Sequence, residues 1–234
     1  CSLNMLNSVS PLLLSLVPQP AWHRSDTLQC MSMTPPSPFL DGTPAGVASF
    51  PLSAEVLVEK TKAFILARNG LDAPDTLDEG FEFMGPVVGP LGKADYLETV
   101  GGFDIYEAFP DLSPNFHHFR VDPFEPGRVW FTSRVRGTFT GSFGGALKGR
   151  GERFEMPPEA ISVSWSAEGK VIRYTIGYVL DRAQGNSGGL GGVFGILFAV
   201  GKPLPFREAQ PWRKSFGFQL FDIVSSLAQK ANSK

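Results

Sequence analysis

The chain has 234 residues, of which 42% are apolar, enough to build one sizeable core. Its formal net charge of -2 comes from 21 basic and 23 acidic side chains, and the basic residues are scattered among the acidic ones, which excludes a basic nucleic-acid-binding protein. The high numbers of glycine (26), proline (20) and phenylalanine (20) indicate many turns and an aromatic core. Cys1 and Cys30 are too few for a disulfide framework or a cysteine-based zinc site, and a single bridge between them stays open.

Residues 1–50 predict an irregular N-terminal arm. Proline and serine recur throughout this segment, and no apolar period is sustained. Because the chain begins at Cys1 rather than at methionine, we expect a processed protein. The apolar run at residues 12–17 is too short to span a bilayer and lacks the basic flank of a signal peptide.

Two helices are predicted after the arm. Ser53 is a good N-cap for a helix over residues 54–69, and Gly70 is a good residue to end it. A second helix is predicted over residues 92–109, bent or interrupted at Gly101 and Gly102.

The rest of the central region predicts strands, because apolar and polar residues alternate there. The predicted strands cover residues 81–84, 115–124, 129–136, 150–166 and 171–181. Tight turns at residues 125–128 and 167–170 join neighbouring strands, and Pro157-Pro158 interrupts the fourth. Helices followed by long antiparallel strands predict an α+β fold with the helices on one face of a curved sheet.

Strict alternation predicts which side chains share a face in each strand. In residues 115–124, Phe116 and His118 fall on one face and His117 and Phe119 on the other. In the last strand, one face is predicted to carry Ile172, Tyr174, Ile176, Tyr178 and Leu180.

Four short motifs carry a family resemblance: residues 83–86 (FMGP), 92–97 (GKADYL), 108–111 (AFPD) and 135–141 (VRGTFTG). With them, residues 54–182 resemble SnoaL-like polyketide cyclases of the nuclear transport factor 2-like superfamily. The resemblance implies a cone-shaped, curved antiparallel sheet with helices packed on its concave face. It places this domain at residues 51–184, between the arm and a C-terminal extension over residues 185–234.

The resemblance also implies a pocket for a small apolar, carbonyl-bearing molecule at the open end of the cone. Asp181 best matches the aspartate base of the cyclases, with Tyr178 and His118 as further catalytic candidates. Such a base needs desolvation that raises its pKa. The alternative is that Asp181 is a surface residue that caps the following turn. The candidate ligand-binding residues are Phe83, Tyr96, Phe103, Phe109, Trp130, Thr138, Phe139 and Tyr174.

Two features argue against catalysis. Phe139 stands where many relatives have histidine, and alternation directs at most one of His117 and His118 inward. No ligand spacing indicates a metal, and the implied chemistry needs no cofactor. The alternative function is a non-catalytic subunit that docks into a larger assembly through residues 1–50 and 185–234.

The C-terminal extension predicts a glycine-rich loop, an apolar octet at residues 193–200 and an amphipathic helix containing residues 216–227. The glycines lack the following Lys-Ser/Thr of a phosphate-binding loop. The octet is too short to span a bilayer, so it packs in the core, plugs the cone, or docks on a partner or membrane surface. The glycine-rich loop resembles segments of SnoaL-like proteins from photosynthetic algae. This resemblance favours the plastid over the cytoplasm as the location of the protein.

Overall fold

The computed structural model describes residues 40, 42–102 and 104–232, with side chains up to residue 227. Most of the predicted arm, both cysteines and the candidate ligand-binding residue Phe103 therefore lie outside the described residues. Leu40–Trp212 form one compact unit. The C-terminal helix belongs to a second unit and is treated by itself.

Three helices precede or interrupt the sheet: α1 (Ala54–Leu66), α2 (Lys93–Gly101) and α3 (Ile105–Ala108). The predicted start of α1 is confirmed, because the Ser53 hydroxyl accepts a hydrogen bond from the Val56 amide at 3.4 Å. Its end lies earlier than predicted, since Arg68 and Asn69 adopt left-handed φ values of 47° and 58°. The predicted interruption at Gly101-Gly102 is confirmed and divides α2 from α3.

The described residues form ten strands, numbered in chain order: β1 (Leu77–Met84), β2 (Leu91–Gly92), β3 (His117–Val121), β4 (Arg128–Ser133), β5 (Arg136–Phe139), β6 (Ser142–Phe143), β7 (Leu147–Lys148), β8 (Glu152–Glu155), β9 (Glu159–Trp165) and β10 (Val171–Val179). Six of them form one sheet in the order β2-β1-β10-β9-β4-β3. All its neighbours are antiparallel except β1 and β10. The predicted α+β class, with a large and mostly antiparallel sheet, is confirmed.

The predicted faces of β3 and β10 are wrong, and irregular pairing is the reason in both strands. The register of β3 shifts between His117 and Arg120, where His118 adopts a φ of 58°, so Phe116 and Phe119 both contact the core. The register of β10 shifts twice, so Ile172 and Tyr178 are exposed while Tyr174 is buried. A bulge reverses the alternation beyond it.

Two hydrophobic clusters fill Leu40–Trp212. The first lies between the large sheet and helices α1 and α2, and its largest members are Phe64, Phe81, Phe83, Tyr96, Phe131, Trp165 and Tyr174. Strands β5 and β8 pair in a separate two-stranded ribbon, the β5–β8 ribbon. The second cluster joins α3 and this ribbon to α4 (Gly192–Ala199), through Phe109, Phe139, Phe154, Met156, Ile196 and Val200. The apolar octet therefore packs in a core, which was one of its predicted placements.

The C-terminal helix, α5 (Phe216–Asn232), is confirmed, and Lys214 pairs with Asp222 beside its first turns at 2.8 Å. Among the described residues, no helix is both long and apolar enough to cross a membrane.

Replacing Phe131 with alanine is expected to lower the free energy of unfolding by about 3–5 kcal/mol. Phe131 is 1% exposed, stacks on Phe119 at 5.0 Å between ring centroids and meets the edge of Phe116 at 5.5 Å. Chemical denaturation provides the measurement. The matched control is Phe124→Ala, because Phe124 is 64% exposed and its loss should change stability by less than about 0.5 kcal/mol. Equal losses in the two variants would contradict this placement of the core.

Candidate functional site

A buried carboxyl group lies at the start of strand β9. Glu159 follows Pro157-Pro158, and its side chain is in phase with those of Ile161 and Val163, which belong to the first core. It therefore faces the helix-covered side of the sheet, where only 2% of the residue is exposed. A charged side chain buried to this degree needs a partner.

The partner of Glu159 is the amino end of α4. The Gly192 amide, in the first residue of that helix, donates a hydrogen bond to Glu159 Oε1 at 2.9 Å. Gly191 permits this approach, because a Cβ atom at that position would lie 2.1 Å from the carbonyl oxygen of Gly177 on β10. The amino end of a helix carries partial positive charge and stabilises a carboxylate. The amino end of α4 thus reaches the start of β9 and supplies a donor to the Glu159 carboxyl group.

Burial sets the protonation of this site. It raises the pKa of Glu159 to about 7, although the hydrogen bond from Gly192 acts in the opposite direction. Burial also raises the pKa of the Tyr174 phenol, and the neighbouring Tyr96 and Glu159 add to that shift. Both forms of the Glu159 carboxyl are therefore populated near neutral pH, so it can accept or release a proton there.

A second polar group lies beside Glu159, on the neighbouring strand of the sheet. Ser133 on β4 is its register partner, and such partners have Cβ atoms about 5 Å apart. Ser133 is 1% exposed, and its hydroxyl oxygen has no hydrogen-bond partner among the described residues. Unpartnered buried hydroxyl groups are costly, and a bound ligand would satisfy this one.

Asp181 lies in the second of its two predicted environments, a hydrogen-bonded turn rather than a desolvated pocket. Its Oδ1 accepts from the Ala183 amide at 2.9 Å, and its Oδ2 accepts from Gln184 Nε2 at 2.8 Å. These hydrogen bonds, that from Gln184 foremost, lower the pKa of Asp181 rather than raising it. Asp181 has the geometry of the predicted alternative, a carboxylate that caps a surface turn.

The other two catalytic candidates lie outside the core. Tyr178 pairs with Ala160, one residue out of phase with Glu159, and is 39% exposed. His118 is exposed in its left-handed bulge, 4.5 Å from the ring of His117, whose Nδ1 lies 2.7 Å from the Asn115 carbonyl oxygen. The structure therefore does not place these two side chains on the face that carries Glu159.

The candidate ligand-binding residues divide among three places. Phe83, Tyr96 and Tyr174 meet in the first core, with ring centroids 5.2–6.5 Å apart. Phe109 and Phe139 meet in the second core at 5.1 Å.

The remaining two candidates lie outside these ring clusters. Trp130 has the opposite phase on β4 from Phe131, and its Nε1 donates to Asp122 Oδ2 at 2.7 Å. Thr138 is hydrogen-bonded to Asp111. Three of the predicted ligand-binding residues thus share the first core.

The sequence carries a signal for Glu159, although the cyclase resemblance points to Asp181 instead. Glu159 continues the two-residue period of Ile161, Val163 and Trp165, so a carboxyl group stands in line with three core side chains. Alternation that continues back to the proline pair predicts its burial. Within the described ranges, no group of three histidine, cysteine, aspartate or glutamate side chains is placed to hold a metal ion.

Comparison with known proteins gives similarities of fold. No protein-family model and no curated protein sequence matches the chain. Similar solved structures include the AclR protein of Streptomyces galilaeus, with 16% identity and a TM-score of 0.46 over 78% of this chain and 99% of that one. A SnoaL-like polyketide cyclase from Agrobacterium tumefaciens has 17% identity and a TM-score of 0.37, over 53% and 90% of the two chains. An LEH-like epoxide hydrolase from Mycobacterium tuberculosis has 10% identity and a TM-score of 0.38, over 52% and 81%.

The titration of Glu159 is expected to make stability depend on pH. Its folded-state pKa of about 7 lies above the ordinary value of 4.5, so the folded protein holds the proton more tightly than the unfolded chain. Its contribution is fully present below pH 4.5 and is lost as the pH rises to about 7, a change of about 3 kcal/mol. Residue 159 cannot titrate in the Glu159→Gln variant. The free energy of unfolding of the wild type, minus that of this variant, should therefore fall by the same amount as the pH rises from 4.5 to about 7.

Denaturant unfolding at several pH values measures this difference. Glu168→Gln is the control, because Glu168 is exposed in the turn between β9 and β10. The free energy of unfolding of the Glu168→Gln variant should stay within about 0.5 kcal/mol of the wild-type value at each pH. A Glu159→Gln difference that does not change with pH would show that the carboxyl is not buried as described.

Proposed function

We propose that the protein binds a small apolar molecule that bears a carbonyl group. Glu159 acts as the base that removes a proton from the carbon beside this carbonyl. One observation carries the proposal: the Glu159 carboxyl, in a residue that is 2% exposed, lies opposite Ser133 on the neighbouring strand. The buried Ser133 hydroxyl lacks a hydrogen-bond partner among the described residues. Ile161 and Val163 of the first core lie on the same face of β9 as Glu159, so the carboxyl group has apolar neighbours along its strand. The cyclase resemblance of the sequence suggests the same ligand class but assigned the base to Asp181.

The chemistry balances without an added oxidant or reductant. Ionised Glu159 takes a proton from the carbon beside the carbonyl, the C–H electron pair forms a carbon–carbon double bond, and the carbonyl π electrons move to oxygen. The Ser133 hydroxyl would donate a hydrogen bond to the resulting enolate oxygen. Returning the proton to another carbon isomerises the ligand. Attack of the enolate carbon on a second carbonyl closes a ring, and the proton held by Glu159 passes to the alkoxide oxygen that this attack forms.

The pKa of Glu159 suits this role. A base works best when its pKa lies near the operating pH, because it is then partly ionised and still basic enough to remove a proton. Burial raises the pKa of Glu159 to about 7, whereas hydrogen bonds lower that of Asp181. We therefore assign the base to Glu159 in place of Asp181.

Access to the site would require the amino end of α4 to shift, since its Gly192 amide contacts Glu159 Oε1. Glycines flank it on both sides, and Gly189 before it and Gly201 after it adopt φ values of 77° and 71°. The alternative of a docking subunit has no supporting observation among the described residues.

Proton exchange on a small ketone tests the proposal. We expect the wild-type protein to accelerate the exchange of the carbon-bound protons of 2-indanone for deuterium in D₂O, followed by proton NMR. The rate should rise with pH to a plateau above about pH 7, as Glu159 ionises. Glu159→Gln should lower the protein-catalysed rate by about 10²-fold or more, the usual contribution of a positioned base.

Two further variants separate the roles in this assay. Ser133→Ala should lower the rate at all pH values without moving the midpoint, because it removes a donor and not the base. The Asp181→Asn variant should catalyse proton exchange at the wild-type rate. Loss of exchange in Asp181→Asn with retention in Glu159→Gln would restore Asp181 as the base. No acceleration by the wild-type protein would overturn the proposal for this ligand class.

A further inference from the structure

A surface groove of about 660 Å³ lies on the β5–β8 ribbon. Asp111 and the turn at Gly185-Asn186 complete its walls, and Glu159 is not among the residues that line it. Sites for small molecules commonly have volumes of about 300–1,000 Å³. The groove is thus large enough for a ligand of its own.

Two guanidinium groups face the groove from neighbouring strands. Arg136 on β5 is opposite Glu155 on β8, and Arg153 on β8 is opposite Thr138 on β5. All four side chains leave the same face of the ribbon, because residues two apart share a face. Phe154, in the opposite phase, is buried in the second core. Arg136 and Arg153 are therefore diagonal neighbours, with Cα atoms roughly 7–8 Å apart.

The carboxylates of the groove already have partners. Asp111 accepts hydrogen bonds from Thr138, through its amide and its hydroxyl, both at 2.7 Å. These bonds lower the pKa of Asp111, with a smaller contribution from the charge of Arg153. Glu155 pairs with Arg134 at 2.9 Å. In the described part of the chain, Arg136 and Arg153 themselves form no salt bridge within 4 Å.

The wall beside these arginines is held rigidly. The Asn186 side chain accepts from the Glu155 amide at 2.9 Å and donates to the Arg153 carbonyl oxygen at 3.0 Å. The Asn186 amide adds a third hydrogen bond, to the Glu155 carbonyl oxygen at 2.9 Å. The 185–186 turn is thereby fixed along the edge of β8, so the groove is formed before a ligand arrives.

We propose that this groove binds a small molecule through a carboxylate or phosphate group, held between Arg136 and Arg153. Guanidinium groups match the planar, two-oxygen geometry of such anions and pair with them more strongly than neutral donors do. Because neither arginine forms a salt bridge among the described residues, both guanidinium groups have donors free for an anionic ligand. This site is independent of the proton transfer proposed for Glu159.

Titration of the ¹⁵N-labelled protein with inorganic phosphate, and separately with succinate, tests the proposal at constant ionic strength. We expect saturable shifts of the Thr138 and Asn186 amides with at least one probe. Arg136→Gln and Arg153→Gln should each weaken that binding about tenfold. Arg173→Gln is the matched control, since Arg173 pairs with Glu82 across β10 and β1 at 2.9 Å and should leave the affinity unchanged.

Tighter binding of phosphate would identify a phosphorylated ligand, and tighter binding of succinate a carboxylate. Absence of saturable shifts with both probes would overturn the proposal. So would equal weakening in Arg173→Gln, which would indicate an adventitious ion only. Amide spectra of the three variants must match that of the wild type outside the substituted residue, so that loss of binding is not loss of fold.

Discussion

The site depends on one constraint, which is the choice of the face of strand β9 that points into the core. This strand lies inside the large sheet, paired with β4 on one side and β10 on the other, so its inner face cannot change without displacing both neighbours. Ile161 and Val163 require that face to be the core face. Glu159 is in the same phase, so its burial follows from the packing of the apolar residues beyond it. The protein compensates for the buried carboxyl with the Gly192 amide.

That hydrogen bond joins the two cores. Glu159 belongs to a strand of the first core, while α4, which supplies the donor, is anchored in the second through Ile196 and Val200. A shift of α4 would remove the donor and admit water to the carboxyl at the same time. Admission of water lowers the pKa of a carboxyl, whereas loss of a donor raises it. Because burial is the larger cause at Glu159, the pKa should fall toward its ordinary value when the site opens.

The sequence predicts the fold class and several elements because their signals are local. The Ser53 cap and the break at Gly101-Gly102 follow from local residue types and spacing alone. The faces of β3 and β10 could not be predicted in this way, since a bulge depends on the partner strand as well as on its own sequence. Burial of Glu159 was predictable from its phase, but the donor at Gly192 is 33 residues away in sequence and becomes its neighbour only through the packing of α4.

Glu159 and Asp181 show why residue type and position near a strand end do not identify a base. Both carboxyl residues lie at the ends of adjacent strands of one sheet, Glu159 as the first residue of β9 and Asp181 just after β10, yet their pKa values move in opposite directions. Asp181 lies beyond the end of β10, where the chain turns and offers backbone and side-chain donors that favour the charged form. Glu159 lies within the paired part of β9, where its own backbone is committed to the sheet and its side chain is directed into the core. A carboxyl in phase with core residues is desolvated by the fold itself, and this desolvation prepares it to exchange protons near neutral pH.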